Sequence, residues 1–121
     1  MKNTSNGEIV AKGEIYWFDP LKEVKVNYSP LALILSGRLQ NQYGDHLIIV
    51  ALSSKSVSEV RDFFEVVFEA EDIKLKATLY AIHAIGKEFF LEKAKYLGKI
   101  DKKTMKKIDE KIKLILELDV C

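Results

Sequence analysis

Two short stretches, Leu31-Ala32-Leu33-Ile34-Leu35 and Leu47-Ile48-Ile49-Val50, run apolar with no polar residue at alternate positions. A strand covered on one face alternates, whereas one that is apolar throughout is covered on both. The chain therefore needs a sheet with material packed on each side. Pro30 starts the first run and Ser36-Gly37 stops it, while the second sits within His46 to Leu52. Between them, Arg38 to Asp45 reads as a polar loop with a turn at Tyr43-Gly44-Asp45.

Glu14-Ile15-Tyr16-Trp17-Phe18, after Gly13 and before Asp19-Pro20, is rich in aromatic and β-branched residues and predicts a strand. Lys22 to Ser29 follows as a polar loop. Phe63 to Ala70 alternates, which puts Phe64, Val66, Phe68 and Ala70 on one face and Glu65 and Glu69 toward solvent. Thr78 to Ile85 is a further strand, with Leu79, Ala81, His83 and Ile85 on one face and Tyr80 and Ile82 on the other. Phe90, Ala94 and Leu97 are spaced as one helical face, with Gly98 placed as its stop. Asp101 is a good N-cap for a helix over 101–118, whose stripe is Met105, Ile108, Ile112, Ile115 and Leu116. Lys102, Lys103, Lys106, Lys107, Lys111 and Lys113 form its solvated side. The order implies a mainly β (α+β) fold: a small barrel or curled sheet with a helix packed against it.

Of 121 residues, 48% are hydrophobic and 31% charged, which suits one domain with its own core and excludes a disordered or fibrous chain. The net charge of +1 gives no global attraction to nucleic acid or to anionic lipid, so a nucleic-acid site must be a local patch. Cys121 is the single cysteine, so no intrachain disulfide forms, although two chains could join through it. Met1 to Gly7 lacks a signal peptide's apolar core, and no run approaches the ~20 apolar residues of a membrane helix. A cytoplasmic protein with no membrane partner is expected. Cys/His clusters, HExxH, GxSxG and glycine-rich phosphate loops are missing, so neither metal nor cofactor is expected.

Several segments, taken in order, resemble one family. Gly13-Glu14-Ile15-Tyr16 is similar to a "GDIY" strand. Ala32-Leu33-Ile34-Leu35-Ser36, a polar loop, then Ile49-Val50-Ala51-Leu52-Ser53 is similar to a "RPALVIS … IVAPIT" pairing. Ile82-His83-Ala84-Ile85-Gly86-Lys87 resembles "IRTIDK", and Leu97 to Leu118 resembles a "LGxLxxxxMxxVDEALxxxLGL" helix. Together these resemble the MazF/PemK family of toxin–antitoxin growth inhibitors over residues 12 to 118. The resemblance implies an SH3-like barrel with a C-terminal helix, so that 1–11 is a flexible tail and 12–121 a single barrel domain. It also implies a homodimer, an antitoxin peptide lying in an RNA groove, and metal-independent cleavage of single-stranded RNA. It makes Phe89 to Tyr96 strand or turn, against the helical spacing.

Cutting RNA without a metal turns the 2′-hydroxyl on its neighbouring phosphate. This needs a base, an acid and positive donors for the phosphoryl oxygens. By resemblance a strand-2 arginine and a hydroxyl ending strand 3 do this work. Ser53 is the counterpart of the hydroxyl, but Pro30-Leu31 stands where the arginine is expected, and the only arginines are Arg38 and Arg61. His83 replaces the arginine of "IRTI", and an imidazole is a side chain suited to acid–base work. Each has a plainer reading: Ser53-Ser54 as a strand-ending turn, His83 as a structural histidine beside Leu79, Ala81 and Ile85. Lys22, Lys25, Asn27 and Tyr28 lie in the loop that, by resemblance, overhangs the RNA groove, and are either nucleic-acid contacts or an ordinary solvated loop. His46 reads as a surface residue. Trp17 and the strand phenylalanines read as core or dimer contact.

Two functions follow: a toxin-family module that binds nucleic acid or antitoxin with its nuclease chemistry lost or weakened, and an active endoribonuclease rebuilt from Ser53, His83 and nearby lysines. The missing arginine favours the first.

Overall fold

A computed structural model describes residues 10–20, 30–54 and 64–118. Along the chain come β1 (Glu14–Trp17), β2 (Leu31–Ile34), α1 (Arg38–Tyr43), β3 (His46–Ser53), β4 (Glu65–Ala70), β5 (Ile73–Gly86), α2 (Lys87–Lys93), β6 (Lys95–Lys99) and α3 (Lys102–Leu116). The strands make one curled antiparallel sheet in the order β4-β5-β3-β2-β1-β6. None of the helices among the described residues is long and apolar enough to cross a membrane.

The two uninterrupted apolar runs become β2 and β3 at the centre of this sheet, and their side chains divide between two cores. Leu31, Leu33, Val50 and Leu52 join Val66, Phe68, Leu75 and Leu79 on one face, where Met105 and Ile108 of α3 cover them. Ala32, Ile34, Leu47, Ile49 and Ala51 face the other way, with Tyr16, Phe18 and Phe90 of α2. Helices on both faces are the physical reason for the missing alternation. Val10, within the expected tail, is buried in the second core.

Asp101 caps α3 as expected, its carboxylate accepting from the Thr104 backbone N–H at 2.6 Å. Ile112 and Ile115 pack against the first core, whereas Leu116 is exposed. Two departures stand out. The expected loop at 38–45 contains α1, which the sequence hides because Leu39 is exposed and the buried residue is the polar Asn41. That amide is satisfied locally: Nδ2 donates to Val10 O at 3.2 Å and Ser36 O at 2.9 Å, and Oδ1 accepts from Ser36 Oγ.

The expected helix through Leu97 ends at Lys93, and the chain turns into β6, antiparallel to β1. Gly98 is inside that strand, opposite Ile15, and stops no helix. A Cβ at Gly98 would fall 2.4 Å from Cγ of Glu71. Glu71 and Asp72 form the β4–β5 turn with φ of 52° and 63°, the left-handed pair of a tight hairpin. The glycine lets the two ends of the curled sheet meet.

Candidate functional site

Ser53 ends β3 and pairs with Lys76 of β5, while Lys76 in turn pairs with Val67 of β4. Glu65 stands opposite Thr78 one pair of positions along. Residues directly opposite in an antiparallel pair share a face, as do residues two apart in one strand. Ser53, Glu65, Lys76 and Thr78 therefore lie on one face, and Leu52, Val66 and Ala77 fill the first core from the other. All four are buried, with 2–7% exposure. The Lys76 ammonium is 3.4 Å from Glu65 Oε2, and the Glu65 carbonyl accepts from Lys111 Nζ at 3.4 Å.

This corrects two expectations. Glu65 does not face solvent; only Glu69 does. Lys111 leaves the solvated lysines of α3 to reach the β4 backbone. Alternation assigned Glu65 correctly to the face away from the first core, but no signal in the sequence said that this face is covered. Lys76 and Thr78 alternate with Leu75, Ala77 and Leu79, a pattern that marks a half-buried strand and gives no sign that the polar face is covered.

His83 lies elsewhere. It pairs with Ile49, four residues before Ser53 on β3, a separation of roughly 13 Å along the strand at ~3.3 Å per residue. It is half-buried, and its Nε2 is buried without a hydrogen-bond partner. Ser53 and His83 are not brought together as a hydroxyl–imidazole pair. Lys22, Lys25, Asn27 and Tyr28 lie outside the described residues. His46 is exposed at the start of β3.

Between the Val50–Ile82 and Leu52–Ala77 pairs the β3–β5 register shifts, so four residues of β5, Thr78 to Ala81, stand across from Ala51 alone. Strict alternation fails here: Leu79 and Ile82 both meet the first core, whereas Ile85 packs on the second. Bulges of this kind bend a strand and re-aim side chains, commonly beside functional sites.

Chemically, the cluster offers a hydroxyl at Ser53, a second at Thr78, and an ammonium whose position is fixed by a carboxylate. An ammonium can stabilise charge on phosphoryl oxygens as a point charge, without the two-pronged grip of a guanidinium. β2 itself contains no arginine. Among the described residues no group of three or more His, Cys, Asp or Glu side chains is placed to hold a metal ion.

A curled six-stranded sheet with a C-terminal helix against one core is the architecture of the small MazF-like barrels. The chain belongs to the PemK-like, MazF-like toxin family of type II toxin–antitoxin systems, whose family model matches residues 11–116. Among solved structures it is similar to an endoribonuclease from Mycobacterial species, with a TM-score of 0.72 and 21% identity over 94% of this chain and 97% of that one. An endoribonuclease in complex with its cognate antitoxin, also from Mycobacterial species, gives a TM-score of 0.70 at 21% identity, covering 93% and 99%. A MazE–MazF structure from Deinococcus radiodurans gives 0.69 at 14%, covering 93% and 100%. At these identities the likeness is one of fold. Comparison with curated protein sequences returns no match.

Proposed function

We propose that this chain is the toxin component of a type II toxin–antitoxin pair: a homodimer that binds single-stranded RNA at the sheet end bearing Ser53 and is restrained by an antitoxin peptide. Its cleavage of RNA is far slower than that of members with the strand-2 arginine. Family membership supports the system, and the complexes named for the similar structures support the antitoxin. The observation that carries the reading is the buried Ser53 paired with Lys76 on a sheet whose β2 has no guanidinium. Loss of a preorganised charged donor lowers a rate roughly 10²- to 10³-fold. Lys76 recovers part of that as a point charge.

The second reading, an active metal-independent endoribonuclease, draws on the same Ser53–Lys76 neighbourhood. A long single-stranded RNA incubated with the protein in EDTA separates the two. The expected outcome is retained binding with slow cutting that Ser53→Ala lowers further. Rapid cutting abolished by Ser53→Ala would establish the second reading, and absence of RNA binding would overturn both.

A further inference from the structure

β4 ends the sheet, and among the described residues only one of its edges is paired, with β5. The peptide groups of a strand point alternately to its two sides. The Phe64 carbonyl accepts from the Leu79 N–H at 2.7 Å, so Phe64, Val66, Phe68 and Ala70 turn their peptide groups toward β5. Glu65, Val67 and Glu69 turn theirs outward. The outward Glu65 carbonyl accepts from Lys111 Nζ of α3 at 3.4 Å. Beside Val67 and Glu69 no strand lies among the described residues. An edge of this kind is a template for one more strand.

The edge opens into a groove of about 450 Å³ between β4 and α3, lined in part by Val66, Val67, Lys103, Lys106, Lys107 and Glu110. These three lysines are exposed, and none is in an ion pair among the described residues. Glu110 is the only acid among the described lining residues, and Glu69, farther along β4, stands opposite Lys74 of β5. One wall thus offers backbone donors and acceptors, and the other offers ammonium groups without counter-charges.

Charge and hydrogen bonding together select the occupant. A second copy of this chain, adding its own β4 here, would bring a second set of Lys103, Lys106 and Lys107 against the first, and like charges across an interface disfavour it. A phosphate backbone meets the ammonium groups but offers acceptors alone, so the carbonyls of Val67 and Glu69 gain no donor from it. An extended peptide supplies donors and acceptors at the spacing of the strand, and its carboxylates supply the missing charge.

We propose that the β4 edge and the lysine-bearing flank of α3 receive an extended acidic peptide as an added strand. This rests on the antitoxin part of the reading above, for which it names the groove and the chemistry of the peptide. It does not depend on RNA binding at Ser53.

The test is selection from a random-peptide phage library on the full chain, followed by fluorescence anisotropy of the selected peptides made synthetically. The peptides should be rich in Asp and Glu interspersed with β-branched residues, and added salt should weaken them. Lys103→Glu combined with Lys107→Glu should weaken binding roughly tenfold. Val67→Pro removes an outward N–H from an edge, where proline is tolerated, and should weaken binding roughly 3- to 10-fold. Circular dichroism checks folding, and the charge-reversal pair, on the exposed side of α3, carries the test should Val67→Pro fail to fold. Peptides without acidic enrichment, or acidic peptides that bind both variants as tightly as wild type, refute the groove while the antitoxin reading stands. A selection that yields no peptide overturns both. If charge reversal weakens a labelled single-stranded RNA and leaves the peptides bound, the lysines are an RNA contact and the groove is likewise refuted.

Discussion

The centre of the sheet (β2 and most of β3) and the wing formed by β4 with the first half of β5 are both largely buried, but by different means. At the centre, Leu33 and Ile34 are adjacent, both fully buried, and point into different apolar cores. In the wing, one face joins the first core, but the other buries Glu65, Lys76 and Thr78, continued by Ser53 at the end of β3. Burying apolar side chains stabilises a fold directly. Burying a charged pair carries a desolvation cost that its attraction only partly offsets, so it is weak evidence for stability. The wing's polar face is thus where a role other than holding the fold is to be sought.

The comparison is broken most sharply at Glu65. Glu65→Ala removes the carboxylate beside the buried Lys76 ammonium and should cost about 3–5 kcal/mol, whereas a joint Glu65→Leu and Lys76→Met replacement should restore much of that stability. Denaturant unfolding measures both. If the double variant is stable yet no longer binds RNA, the polar face is functional; if it binds as before, the pair is only structural.

Leu33→Ala and Ile34→Ala come next, each expected to cost about 2–5 kcal/mol. As chain neighbours on one strand that empty different cores, they test whether the two cores are coupled, which the double variant measures as its departure from the sum. A clear excess would show that the two cores act as one.

The smallest effect concerns Tyr16, whose hydroxyl donates to Glu14 Oε1 at 2.9 Å. Burial, then the hydrogen bond to Glu14 and its charge, raise the phenol's pKa. A raised folded-state pKa means that this contribution is complete below the unfolded value near 10 and is lost as pH rises toward the folded one. Tyr16→Phe should cost about 1 kcal/mol at neutral pH, with the gap to wild type narrowing above pH ~10. A constant gap across that range in unfolding midpoints would count against the assignment.

Strands and the capped helix were legible because they are written in periodicity and apolar content: the β2 and β3 runs, the alternation of Val66, Phe68 and Ala70, and the stripe at Met105 and Ile108. Ordered motifs carried the family. What escaped was written in tertiary partners. α1 is anchored by the amide of Asn41, which leaves no apolar stripe. The segment after Phe90 changes from helix to strand because β1 offers it an edge. Ser53 was named as a candidate through the resemblance of the Ile49 to Ser53 segment, whereas its pairing with Lys76 appears only once the β3–β5 register is known.

Gly98 and Glu71 meet where β6 and the β4–β5 turn approach, and among the described residues no ladder joins β4 to β6. Among the described residues the two edges of the sheet come together where the Glu71 side chain lies over Gly98. Any side chain at position 98 would therefore press first on the β4–β5 turn, and so on the wing that carries Lys76, before it touched either apolar core.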